Sequence, residues 1–353
     1  MAERKFLIAS IFITLGVIAV VSGYLLMSGD NSSRQTGALI ERFTAKSVEI
    51  NNTPLIVPLS PRKLVSFVNP FSDSEKIVAM DQNSNIIEIN TKAKTEKILV
   101  NGEQKNMTDI QLSPKGDSVI YTLNGANNNK KYFYLDLKTG ESLEIPGELK
   151  SAAFSPDDGR TAYLLNNKDG GEVLVSKGAK VVKQVIKPRL VAAMIDYPSD
   201  FMSLVSYDAK GYGDLFILKE SGILNKIISY RPDLAVKWSP SGVKIIFSSK
   251  GGSDSDQLFY RSAAANEPDI SLDVSVNASK CLWLNEDDVL CGIRNVSSFR
   301  DEFYKINTAD GSKTLLLTPS INLFIKEMAV NRQGDTLFVL NDLDNKLYAL
   351  KIK

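Results

Sequence analysis

The sequence predicts an all-β fold, a seven-bladed β-propeller with four-stranded antiparallel blades, preceded by one N-terminal transmembrane α-helix. Three observations carry that prediction. They are an uncharged apolar run near the N-terminus, one turn pattern that returns seven times at near-constant spacing, and short strand-like runs between the turns.

The apolar run, Phe6 to Met27, reads FLIASIFITLGVIAVVSGYLLM. As a helix rising 1.5 Å per residue it spans roughly 33 Å, close to the hydrocarbon core of a bilayer. A cleaved signal peptide would have a shorter apolar region ending at a small-residue site. The weak candidate for such a site, Val20-Val21-Ser22, lies inside the run. Arg4 and Lys5 precede the run and Asp30 is the first charge after it, so the positive-inside rule places the N-terminus in the cytoplasm. The expected organisation is a cytoplasmic N-terminus at 1–5, a membrane span at 6–27, a polar linker at 28–46 and an extracytoplasmic propeller at 47–353. The expected localisation is that of a single-pass membrane protein.

The repeat is an apolar residue, Ser or Asn followed by Pro, a few polar residues and an apolar strand. It reads VNPFSDSEKIVAM from Val68, LSPKGDSVIYTL from Leu112, FSPDDGRTAYLL from Phe154, DYPSDFMSLVSY from Asp196 and WSPSGVKIIFSS from Trp238. WLNEDDVLCGI from Trp283 and VNRQGDTLFVL from Val330 are degenerate copies. Measured at Pro70, Pro114, Pro156, Pro198, Pro240, Asn285 and Arg332, the spacings are 44, 42, 42, 42, 45 and 47 residues. Proline presets φ for the first central position of a tight turn, and Ser or Asn favours the position before it. The flanking runs, such as Ser118 to Leu123 and Thr336 to Leu340, are β-branched and aromatic, as strands are. Each repeat adds two more strands, for example Lys131 to Leu137 and Glu141 to Ile145 around Lys138-Thr139-Gly140. Four short strands in about 42 residues make one propeller blade.

After Arg332 only half a repeat remains. The segment before the first repeat, residues 47–59 (SVEINNTPLIVPL), is strand-like and is expected to complete the last blade. Mixing both ends of the chain in one blade removes an open sheet edge.

The Ser-Pro-x-Gly turn with its following strand, best seen at Ser113-Pro114-Lys115-Gly116, Ser155-Pro156-Asp157-Asp158-Gly159 and Ser239-Pro240-Ser241-Gly242, resembles the repeat of TolB-type propellers. It is also similar to the propeller of prolyl oligopeptidase-like enzymes and, more loosely, to WD-type repeats. The resemblance covers about residues 60–353 and implies a fold rather than an activity. The hydrolase domain of the peptidase family is not expected here, because no G-x-S-x-G turn is present.

Composition narrows the function classes. The chain has no histidine, which removes Ser-His-Asp and Cys-His nucleophile systems and His-ligated metals. Its 42 basic and 41 acidic residues leave a net charge of +1, so no global field attracts nucleic acid. No catalytic, cofactor-binding or metal-ligating residues are assigned, and no cofactor is expected. The expected role is a non-enzymatic interaction module or scaffold, with protein partners in the cell envelope and contact with the membrane through the helix. The alternative is a glycan-binding propeller or a carboxylate-dependent enzyme, for which Asp109 and Asp196 are the candidate residues.

Cys281 and Cys291 flank the sixth turn symmetrically and are a candidate disulfide; the alternative is two buried thiols. Ser248 to Asp256 and Arg294 to Asp301 are expected to be the longest loops on the face opposite the proline turns. Arg294, Phe299 and Arg300 in the second form a candidate partner-binding loop, since arginine and aromatics dominate interface hot spots. Acidic runs such as Asp342-Leu343-Asp344-Asn345 read as hairpin turns rather than calcium loops. Trp238 and Trp283 share the slot two residues before the turn position and read as packing between blades.

Overall fold

The computed structural model describes residues 56–352 except 71–74, 103–105, 125–129, 157–158, 168–169, 179, 187–192, 220, 252–254 and 265–266. Its strands form seven antiparallel sheets of four strands, one per blade. From blade 1 to blade 7 the innermost strands are Leu64–Val68, Met107–Leu112, Glu148–Phe154, Ala193–Asp196, Ala235–Trp238, Cys281–Trp283 and Ile325–Val330. Blades 1 to 6 each take four consecutive strands. Blade 7 borrows its outermost strand from the other end: Val57 pairs with Ala349 and Pro58 with Tyr348. The next residue, Leu59, donates its N–H to the Leu347 carbonyl at 2.9 Å and is buried with Leu64, Phe67, Phe338 and Leu340. Residues 47–55 of the expected closing segment lie outside the described residues.

The repeated turn folds for a local reason. In blade 2 the N–H of Ser113 bonds the Ser118 carbonyl and the N–H of Gly116 bonds back to Ser113, each at 2.9 Å. The Ser113 hydroxyl oxygen then accepts from the N–H groups of Asp117 and Ser118, both at 3.1 Å. Asn331 does the same in blade 7, its Oδ1 accepting from Asp335 and Thr336. Buried turn amides are thereby satisfied, which is what the Ser/Asn requirement means. Gly116 has φ +62°, and a Cβ there would stand 2.7 Å from the Val78 side chain of blade 1. It serves both the turn and the close packing of neighbouring blades.

The sixth copy is degenerate because its turn is one residue shorter. In blade 5 the bond from Ser239 N–H to the Lys244 carbonyl encloses four residues. In blade 6 the bond from Leu284 N–H to the Asp288 carbonyl encloses three. Asn285 caps the shorter turn, its Oδ1 accepting from Asp287 and Asp288 at 2.8 Å each. The third-to-fourth strand turns are built alike in blades 1, 2 and 6, with Asn90, Asp136 and Asn307 accepting two backbone N–H groups each.

The apolar core is a series of seams between blades. One seam joins Ala153 and Ala162 of blade 3 to Tyr197, Met202 and Leu204 of blade 4. Another joins Val78 and Met80 of blade 1 to Leu112, Val119 and Tyr121 of blade 2. Each fully buried large side chain contributes about 1.5–3 kcal/mol, so stability resides where blades meet.

Among the described residues no helix is long and apolar enough to cross a membrane, and the helical element is the single 3₁₀ turn Ala278–Lys280. The run 6–27, on which the transmembrane helix rested, lies outside the described residues. The expected single-pass localisation with an extracytoplasmic propeller is therefore corrected: no described element supports it.

Candidate functional site

An innermost strand has one strand neighbour, so its second edge of backbone groups faces the channel and needs partners. Side chains of adjacent blades supply several. Glu327 of blade 7 accepts the Phe67 N–H of blade 1 at 3.0 Å, and Ser151 of blade 3 accepts the Ile195 N–H of blade 4 at 3.1 Å. Gln111 of blade 2 donates to the Ala152 carbonyl of blade 3 at 3.0 Å. The channel wall is thereby stitched across three seams.

At the end of the channel where the proline turns lie, a cavity of about 1180 Å³ opens. Its rim includes Pro114, Pro156, Pro198 and Pro240, and its wall includes Phe67, Trp238, Trp283 and Met328. A further cavity of about 540 Å³ shares Asp196, Lys237, Trp238 and Ser279 with it and extends along the inner strands to Gln111 and Lys150.

The two tryptophans are half-buried and reach back to the preceding blade. Trp238 stands edge-on to Phe201 at 5.1 Å and donates its indole N–H to the Ser203 hydroxyl at 3.0 Å. Trp283 donates to the Lys237 carbonyl at 3.2 Å. They pack between blades and also face the cavity.

The mouth is strongly charged. Among the described residues five cations line it (Lys115, Lys138, Lys237, Lys326 and Arg332) against three carboxylates, Asp117, Asp196 and Glu327. Lys138 is 3.9 Å from Asp117. Asp196 is open to channel water but ringed by protein, and that loss of solvation raises its carboxyl above the usual range; the Tyr197 N–H at 2.8 Å and the charge of Lys237 pull it back. Burial likewise raises Glu327, opposed by the Phe67 N–H and by the charges of Lys326 and Lys237.

The structure separates the two carboxylates singled out in the sequence. Asp109 sits with φ +48° in a bulge, where the register of blade 2 slips between Thr108 and Gln111. A bulge re-aims a side chain, and Asp109 forms an exposed ion pair with Lys130 at 3.2 Å. Asp196 shares its cavity with Glu327 instead, a residue that sequence reasoning missed. The signal for Asp196 was in the repeat: its slot holds Val68, Leu112, Phe154, Trp238, Trp283 and Val330 in the other blades.

On the opposite face, the expected loop from Arg294 to Asp301 is a tight hairpin, in which Arg294 pairs with Asp301 and Asn295 with Arg300. Asp301 is fully buried. It accepts from Arg294 Nε at 2.6 Å, Lys280 Nζ at 2.9 Å and the Ile325 N–H at 2.9 Å. The Arg294 guanidinium also lies 4.1 Å from the centre of the Phe324 ring. The Arg300 Nε is buried without a hydrogen-bond partner. Of the three expected contact residues, Phe299 is 70% exposed and Arg294 is exposed while held by Asp301, and Arg300 is half-buried. Cys281 and Cys291 stand directly opposite, Cα–Cα 4.1 Å, joined through their sulfurs. Among the described residues no group of three or more acidic or cysteine side chains is placed to hold a metal ion.

No family model matches the chain, and no curated protein matches it. Solved structures do. An oligogalacturonate lyase from Vibrio parahaemolyticus superposes with a TM-score of 0.60 at 12% identity, over 84% of this chain and 93% of that one. The WD40 repeats of RRP9 superpose with a TM-score of 0.58 at 12% identity, over 84% and 97%. TolB from Acinetobacter baumannii reaches a TM-score of 0.45 at 13% identity, over 71% and 62%, too little to argue from. These neighbours include an enzyme and a repeat domain, so they speak to architecture alone. The chain is a seven-bladed β-propeller with WD40-like structural neighbours.

Proposed function

We propose that this propeller is a non-enzymatic interaction module that receives part of a protein partner at the mouth of its channel, on the proline-turn face. The observation that carries this reading is the mouth itself. It is a wide cavity with rigid proline turns at its rim, two tryptophans in its wall and an excess of cations. A preformed concave site of mixed apolar and charged character binds without a large ordering cost. Crosslinking mass spectrometry in the native cells tests it. The expected result is reproducible crosslinks to one or two proteins from Lys115, Lys138, Lys237 and Lys326. Crosslinks confined to lysines of the outer strands would overturn it.

A second reading rests on Asp196 and Glu327. Two carboxyl groups raised by their surroundings in one cavity are what a carboxylate-dependent glycan-cleaving enzyme uses. Against it, one Glu327 oxygen is committed to the Phe67 amide, and no hydrogen bond joins the two carboxyls among the described residues. Glycan turnover by the intact protein that is abolished by Asp196→Asn would favour this second reading.

A further inference from the structure

Lys237, Lys326 and Arg332 come from the inner walls of blades 5 and 7 and the turn of blade 7, and all three line the mouth. Some lysines elsewhere on this chain are paired, such as Lys226 with Asp214 and Lys351 with Asp335; what sets these three cations apart is that they line one cavity. Among the described residues the side chains of Lys237, Lys326 and Arg332 form no hydrogen bond or ion pair. Three cations around one cavity, held by no hydrogen bond or ion pair in a protein of net charge +1, give the mouth a local positive field.

Resting on the reading of the mouth as a protein-binding site, we infer that the partner supplies an acidic peptide segment, whose carboxylates engage Lys237, Lys326 and Arg332. Three features select this ligand. Asp117, Asp196 and Glu327 lie among the cations, so a ligand whose charges sit on side chains that can turn toward the cations is favoured over one whose charges are fixed along its backbone. Among the described residues the neutral polar side chains lining the cavity are Ser239 and Ser279, with no Asn, Gln, Thr or Tyr. A sugar has hydroxyls to satisfy, and both indole N–H groups are already spent on Ser203 and Lys237. The apolar side chains of a peptide, by contrast, fit the wall made by Phe67, Trp283 and Met328. The ligand is read through side chains rather than as an added strand, because the Phe67 and Ile195 amides on the channel edge are taken.

The molecule carries its own reporter, since its two tryptophans both line the mouth. The test is a fluorescence titration of the whole chain with an oligoglutamate peptide, and in parallel with oligoglutamine and polygalacturonate. The expected result is saturable binding of oligoglutamate that weakens as salt rises. The combined variant Lys237→Gln, Lys326→Gln, Arg332→Gln should bind at least about tenfold more weakly. These are exposed positions, and an unchanged melting curve certifies that the variant folds. Equal binding of oligoglutamine, an unaltered affinity in the folded variant, or a response to polygalacturonate alone overturns the inference. Should crosslinking capture a protein at the mouth while oligoglutamate fails, the interaction role stands and only the acidic-segment assignment falls.

Discussion

The two ends of the channel use the same residue types to opposite purposes. On the hairpin face, Arg294 and Lys280 converge on buried Asp301, which also holds the Ile325 amide of the next blade. The charges of this cluster are matched within it, and it ties blade 6 to blade 7. On the proline-turn face, Lys237, Lys326 and Arg332 line an open cavity and, among the described residues, form no hydrogen bond or close ion pair through their side chains. Charge by itself marks neither end as functional. What distinguishes them is whether the protein itself has already answered that charge.

The comparison can be broken most severely at Asp301. Replacing it with alanine strands two cations and a buried amide, and should lower stability by about 3 kcal/mol, read as a fall in the urea midpoint. The exposed sides of Lys280 and Arg294 keep the loss at the lower end of the range for buried pairs. Binding at the mouth of the folded Asp301→Ala protein should be unchanged. Glu327→Ala comes next. It leaves the Phe67 amide without its acceptor, at a cost of about 1–2 kcal/mol, whereas Glu327→Gln keeps an acceptor and should cost less in the same urea series.

The pH dependence sharpens the contrast. Asp196 and Glu327 hold their protons more tightly in the folded protein than in the unfolded chain. Their contribution therefore favours the folded state in acid and declines as pH rises from about 4 through their raised values. Asp196→Asn with Glu327→Gln should flatten that part of the stability profile. In the native protein the mouth also becomes more positive as these two groups protonate. Oligoglutamate affinity should then rise on mild acidification, less so in the double variant, over the range where the peptide itself stays ionised. The smallest effect is expected at Phe299. Phe299→Ser should leave stability within about 0.5 kcal/mol and the fluorescence titration unaltered. A large drop in either would return the hairpin face to consideration.

Much of the architecture was legible because the turns of blades 2, 5 and 7 obey the same local chemistry, down to the Ser or Asn that caps them, while blade 4 carries Tyr197 in that place. The site was half legible. Asp196 announces itself as the charged occupant of a slot otherwise apolar. Lys326 and Glu327 do not, because the pairing of blade 7 slips between Ile325 and Glu327. A bulge resets the two-residue alternation that tells channel-facing from buried positions. Similar slips occur in the innermost pairings of blades 1, 2 and 3. The ion pair of Arg294 was not legible for another reason. Its partner lies across the hairpin, and nothing in a linear sequence separates an arginine awaiting a ligand from one already held.

The clasp formed by Val57–Pro58 against Tyr348 and Ala349 sets a timetable for the molecule's birth. Six blades can assemble from neighbouring stretches of chain as each leaves the ribosome, whereas the seventh waits for residue 349 to meet residue 57. Until the seventh blade emerges the nascent arc therefore ends in a bare apolar flank. Contacts this distant in sequence form slowly, and unfinished edges invite aggregation. Chaperone demand should accordingly concentrate on the interval before the seventh blade is made, while the ring is still open.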